Sequence, residues 1–133
     1  AQHTLLYVED NPANLKLVEQ LIARRPEMRL LTATDGISGI RLARERLPKV
    51  ILMDINLPGI SGIDAMRILR EDAATAHIPV LAISANAMPT DIKRGMDAGF
   101  FRYLTKPIKV AEFTDALNLA LAHADRHTNI AEH

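Results

Sequence analysis

The sequence predicts an α/β domain: a doubly wound parallel sheet of five strands, with five helices distributed over its two faces. Five short apolar runs alternate with five segments of helical periodicity. The connections between them are short, as in a single layered domain. The central runs lack polar alternation, the mark of strands buried on both faces.

The elements follow in order. The first run, Thr4–Glu9, is apolar through Leu5-Leu6-Tyr7-Val8. Leu15, Val18 and Ile22 then recur at helical spacing, with Leu17 and Leu21 alongside. Asn11 is placed to cap that helix, with Pro12 at its first position. The run Met28–Thr34 is mixed, carrying Arg29 and Thr32, which assigns it to a sheet edge. Asp35 can cap a second helix with Ile37, Ile40 and Leu47 on one face. The third run is Lys49–Asp54. Ser61 and Asp64 have capping-box spacing before Ile63, Met66 and Leu69. The fourth run, Ile78–Ser84, precedes a stripe of Met88, Ile92 and Met96, read as core, and Gly99 stops that helix. The fifth run, Phe100–Leu104, leads to Val110, Phe113, Leu117, Ala120 and Leu121. Right-handed crossovers put helices on both faces. Residues 1–126 form one domain, and 127–133 a polar tail that frays.

Composition narrows the function classes. A chain of 133 residues, 48% hydrophobic, suits one packed domain. Its 16 acidic and 16 basic side chains balance, so it has no general attraction for nucleic acid or an anionic membrane. It has no cysteine, which excludes disulfides and thiolate metal sites. No apolar run approaches membrane-spanning length and no signal-peptide pattern opens the chain. Ala1 in first place implies a processed start or a piece of a longer protein. The expected location is the cytoplasm.

Ligands of open α/β sheets bind beyond the C-terminal strand ends. This sequence places Glu9 and Asp10 there after the first strand, Asp54 after the third, Ser84 after the fourth, and Lys106 with Pro107 after the fifth. Three carboxylates repel one another, and a divalent cation is the natural compensation. Magnesium prefers oxygen ligands and keeps several waters, so one or two carboxylates suffice. A metal and an ammonium beside a carboxylate are also what phosphoryl transfer needs, with Asp54 as nucleophile and Ser84 as donor to a phosphoryl oxygen. Each residue alone has an ordinary reading as a cap, turn or surface charge. Their combination on one rim does not.

Other features stay structural. His123 and His127 are four apart on the last helix, but no further ligand accompanies them. Asp64, Glu71 and Asp72 read as solvated helix charges, and the glycines form no dinucleotide fingerprint.

The stretches Leu5-Leu6-Tyr7-Val8-Glu9-Asp10-Asn11, Ile51-Leu52-Met53-Asp54-Ile55-Asn56-Leu57-Pro58-Gly59 and Tyr103-Leu104-Thr105-Lys106-Pro107 resemble the motifs of response-regulator receiver domains. The resemblance covers nearly the whole chain. It implies a flavodoxin-like fold with strand order 2-1-3-4-5. It implies Asp54 as phosphoacceptor, and magnesium held by Asp10, Asp54 and the Asn56 backbone carbonyl, with Glu9 assisting through water. It further implies Lys106 as phosphoryl contact, Ser84 as switch hydroxyl, Tyr103 as the aromatic that moves with it, and a cis Lys106–Pro107 peptide. The expected partner is a histidine kinase or histidine phosphotransfer protein, with readout on the helix 4, strand 5 and helix 5 surface. Direct nucleic-acid binding and membrane insertion are not expected. Glu9-Asp10-Asn11-Pro12-Ala13-Asn14 and Ser84-Ala85-Asn86-Ala87 look most like receivers of hybrid histidine kinases, or stand-alone ones.

Two competing functions fit less well. An aspartyl phosphatase of similar framework wants a second Asp shortly after its nucleophile, where this chain has Asn56. A receiver-like scaffold without phosphorylation has no use for Glu9, Asp10, Asp54, Ser84 and Lys106 together. The chain is thus read not as a conventional enzyme but as a switch that catalyses its own phosphotransfer and dephosphorylation.

Overall fold

The computed structural model describes residues 3–86 and 88–132, with residues 126–132 followed in backbone only. The chain runs β1 (His3–Val8), α1 (Pro12–Ala23), β2 (Met28–Ala33), α2 (Gly36–Arg46), β3 (Val50–Asp54), α3 (Gly62–Glu71), β4 (Val80–Ser84), α4 (Pro89–Ala98), β5 (Arg102–Thr105) and α5 (Val110–Glu132). The sheet order is β2-β1-β3-β4-β5, all parallel, with the mixed second strand at one edge. Strand ends differ from the expected ones by up to two residues. Helix α5 carries its backbone through 127–132, the segment read as a fraying tail.

Side-chain alternation along the buried strands splits the core in two. Leu6, Val8, Ile51, Met53, Val80 and Ala82 face α2 and α3 with Ile40, Met66 and Leu69. Leu5, Tyr7, Val50, Leu52, Leu81 and Ile83 face α1 and α5 with Val18, Ile22, Phe113 and Leu117. The expected caps form: Asn11 Oδ1 accepts the Ala13 and Asn14 amides, Asp35 the Ser38 amide, and Ser61 Oγ the Asp64 amide. Gly99 ends α4 at φ 108°, a left-handed conformation that a side chain would strain.

Three expectations need correction. Met88 and Met96 are 64% and 41% exposed, not core. The buried position of α4 is Gly95, about 100° round the helix from Met96. A Cβ at Gly95 would lie 2.8 Å from the Tyr103 ring, so α4 meets the sheet through a residue without a side chain. Leu47 leaves the α2 stripe as an exposed left-handed cap, because Pro48 after it disfavours helix. Asp72 is no free surface charge: it accepts the Ala74 amide and pairs with Arg44 at 2.9 Å. His123 lies with its ring 5.2 Å from that of Phe101, and the side chain of His127 falls outside the described residues. Among the described residues no helix is long and apolar enough to cross a membrane.

Candidate functional site

Four parallel strands end on one rim, and each delivers a polar group there. Glu9 and Asp10 follow β1, Asp54 closes β3, and Ser84 closes β4. Lys106 follows β5, its amide bound to the Ser84 carbonyl at 2.8 Å and its peptide to Pro107 cis. Behind the rim, α3 begins at Gly62, where a Cβ would lie 2.5 Å from the Asp54 carbonyl oxygen. That close approach fixes the backbone after β3.

Glu9 and Asp54 are 0% and 2% exposed, whereas Asp10 lies open to solvent. Carboxylate oxygens of Glu9, Asp10 and Asp54 lie within 4.8 Å of one another. Lys106 Nζ bridges the buried pair, 2.9 Å from Glu9 Oε1 and 3.0 Å from Asp54 Oδ2. The Asn56 amide donates to Asp54 Oδ1 at 2.9 Å. The Tyr7 hydroxyl and the Asn14 amide group both donate to Glu9 Oε1, at 3.1 and 2.8 Å.

Burial raises both carboxyls, and their hydrogen bonds separate them. For Glu9, burial is outweighed by hydrogen bonds from Asp54, Lys106 and Asn14, so it stays ionised well below its ordinary range. Asp54 is pushed up to about 6, by burial first and then by sharing a hydrogen bond with Glu9. The Asn56 amide and Lys106 oppose that rise without cancelling it. Burial and the neighbouring Glu9 hold the Tyr7 phenol far above its usual range, so its hydroxyl remains a donor. Lys106 is raised: burial opposes its charge, but its bonds to Glu9 and Asp54 prevail.

Ser84 is buried, its Oγ accepting the Asn86 amide at 3.0 Å and Asn56 Nδ2 at 3.4 Å. The Tyr103 hydroxyl donates to the Asn86 carbonyl at 2.8 Å. Asp54, Asn56, Ser84, Asn86 and Tyr103 therefore form one hydrogen-bonded series from the rim to β5. A cleft of about 210 Å³ adjoins it, lined by Asn56, Ser84, Asn86, Arg94 and Tyr103 among others. A wider groove of about 450 Å³ between α2 and α3, lined by Ile37, Arg41, Arg44 and Ile68, shares none of these residues.

The expected rim residues are thus brought together, with Tyr103 joined to them through Asn86. Sequence reasoning missed Tyr7, Asn14 and Gly62. A signal existed for Tyr7: a hydroxyl in an otherwise apolar strand needs a partner, and Glu9 lies on the same side two residues on. Three carboxylates against one ammonium leave excess negative charge on hard oxygen donors. That set fits a divalent cation of the magnesium kind.

Comparison with known proteins agrees. Residues 5–118 match the family model of the response regulator receiver domain. The polar-differentiation response regulator DivK of Brucella anthropi is 38% identical over 121 residues, 91% of this chain and 98% of that protein. The receiver domain of a sensor histidine kinase from Pseudomonas aeruginosa PAO1 superposes with TM-score 0.83 at 34% identity, over 92% of this chain and 99% of that one. Its crystal structure has a magnesium ion coordinated in the active-site cleft. A signal receiver domain from Vibrio parahaemolyticus shares the fold at TM-score 0.91 over 100% of both chains, with 21% identity.

Proposed function

The chain belongs to the response regulator receiver domain family of two-component signalling, and we propose that it is a switch set by phosphorylation of Asp54. The single observation that carries this reading is the Asp54 carboxylate, buried beside Glu9 yet facing Lys106 Nζ at 3.0 Å. A nucleophilic carboxylate and a fixed cation are thereby adjacent.

The donor is a phosphohistidine on a histidine kinase or histidine phosphotransfer protein. An Asp54 oxygen attacks phosphorus, the phosphorus–nitrogen bond breaks, and its electron pair leaves on the imidazole. The product is an acyl phosphate on Asp54. Lys106 balances charge on the phosphoryl oxygens. Asp10, Asp54 and the Asn56 backbone carbonyl would hold a magnesium ion, with Glu9 assisting through water, and such an ion would offset carboxylate and phosphoryl charge.

The Ser84 hydroxyl then bonds a phosphoryl oxygen, and Tyr103 responds through Asn86. Readout falls on the α4, β5 and α5 surface, where Met88 and Met96 are exposed. Later a water attacks the phosphorus, the phosphorus–oxygen bond to Asp54 breaks, and inorganic phosphate leaves with the Asp54 carboxylate restored. The same reading puts it in the cytoplasm, alone or within a larger sensor protein.

Incubation with magnesium and a small acyl-phosphate donor tests this. Intact-mass spectrometry should find one added phosphoryl group, labile to hydroxylamine and absent from Asp54→Asn. An unlabelled wild type, or equal labelling of the variant, would refute the assignment.

A further inference from the structure

We infer that Tyr7 and Asn14 are positioning residues that hold Oε1 of the Glu9 carboxylate and, through it, the Lys106 ammonium beside Asp54. The inference rests on the phosphotransfer reading above and assigns roles to two residues that reading does not use.

Glu9 is fully buried. Its Oε1 accepts three donors: the Tyr7 hydroxyl at 3.1 Å, Asn14 Nδ2 at 2.8 Å and Lys106 Nζ at 2.9 Å. Its Oε2 accepts the Asp10 amide at 3.2 Å. A carboxylate oxygen has about two lone-pair directions, so three donors saturate Oε1.

The two neutral donors reach Oε1 from different elements. Tyr7 rises from the core between β1, α1 and α5. Asn14 sits in the first turn of α1, whose start is fixed by the Asn11 cap and Pro12. Glu9 is therefore held from two directions, and cannot turn Oε1 away. Lys106 has a long side chain, 21% exposed, and nothing in its own flexibility fixes its end. Its ammonium lies almost equally far from Glu9 Oε1 and Asp54 Oδ2, at 2.9 and 3.0 Å. Fixing the first oxygen fixes the ammonium beside the second, where a phosphoryl group arrives. Without the clamp, Glu9 gains torsional freedom and Lys106 follows it.

The test compares Tyr7→Phe, which keeps the ring, with Asn14→Ala, which is half-buried and spares the core. Three quantities are read: the Lys106 side-chain NMR resonance in metal-free protein, the Asp54 labelling rate at saturating magnesium and donor, and the Kd for magnesium alone. Loss of one such hydrogen bond is expected to move the resonance and slow saturated labelling about fivefold, with Kd changed less than about twofold. A merely packing role for Tyr7 moves neither resonance nor saturated rate. Resonance and rate unchanged in Asn14→Ala would overturn the inference, as would weakened magnesium binding with an unchanged saturated rate. If Tyr7→Phe does not fold, Asn14→Ala alone decides. A wild type that is never labelled on Asp54 refutes the phosphotransfer reading instead, and the metal-free Lys106 resonance still decides whether the clamp exists.

Discussion

Replacing Asp54 by asparagine is expected to stabilise the metal-free fold. Asp54 is 2% exposed. Burial, followed by its hydrogen bond with Glu9, moves its carboxyl from an ordinary 3.8 up to about 6. A carboxyl that holds its proton more tightly when folded makes the fold less stable on ionisation. The loss is absent below 3.8, grows as the pH rises towards about 6, and is complete above that. At about 1.4 kcal/mol per pH unit, the ionised group costs the fold about 3 kcal/mol at neutral pH. Asparagine has the same outline, carries no charge, and keeps an oxygen for the Asn56 amide. The Lys106 ion pair is already contained in that shift, but Glu9 is held low partly by its hydrogen bond with Asp54, and losing that bond trims the gain to about 1–3 kcal/mol. For a chain of this length that raises Tm by roughly 3–10 °C. Thermal and urea unfolding of both proteins in EDTA measures it. Near pH 5, where wild-type Asp54 is largely protonated, the gain should shrink. Equal or lower stability of the variant at neutral pH, or an undiminished gain near pH 5, refutes the reasoning. Either result would mean that the buried charge is not the source of the cost.

Magnesium added at neutral pH should shift the amide resonances of Glu9, Asp10 and Asn56, and its affinity should fall as the pH drops through about 6, where protons compete for Asp54. A flat titration up to roughly tens of millimolar contradicts this. Gly62→Ala sets a Cβ 2.5 Å from the Asp54 carbonyl oxygen and 2.7 Å from Ile55 Cα, both backbone, and should cost about 2–3 kcal/mol in urea unfolding; a neutral result would mean that α3 can back away. Gly95→Ala presses on the Tyr103 ring at 2.8 Å, so the ring resonances of Tyr103 should move, and an unchanged spectrum would show the ring is not confined by α4. Beryllofluoride on Asp54 should spread shift changes from Ser84 along α4 to Tyr103, and Ser84→Ala should confine them to the rim; equal spread in both proteins removes Ser84 from the coupling.

The strands and most helix faces were legible because local pattern decides them. Val50-Ile51-Leu52-Met53 is apolar without alternation and too short for a buried helix, which fits a strand covered on both faces. The rim residues were legible for a related reason: the end of a strand is a fixed place in a parallel sheet, so Glu9, Asp10, Asp54 and Ser84 had to gather at one edge. The methionines of α4 were misread because spacing defines a helix face, not what covers it. What α4 buries is Gly95, against a ring eight residues later in sequence. The contact of Gly62 with the backbone of Asp54 and Ile55 was equally hidden, being a distance between two elements. Asn14 has an ordinary polar side chain near a helix start, and its bond to Glu9 depends on α1 starting where Asn11 and Pro12 place it.

The series from Asp54 to Tyr103 suits a switch because its bonds nearly balance. Ser84 Oγ accepts a good hydrogen bond from the Asn86 amide at 3.0 Å and a long one from Asn56 at 3.4 Å. Two such neutral bonds contribute roughly 1–2 kcal/mol, while one bond to a charged phosphoryl oxygen contributes about 1.5–3 kcal/mol. On the switch reading proposed above, moving the hydroxyl towards a phosphoryl group would be downhill, but by little. The move cannot stop at Ser84. It leaves the Asn86 amide seeking an acceptor, and the carbonyl of the same residue holds the Tyr103 hydroxyl at 2.8 Å. Any turn of that backbone would loosen the ring, which packs on α4 at Gly95. On the same switch reading, a charge placed on the rim would reach Tyr103, and the face of α4 that packs on it, through five residues and no long-range force.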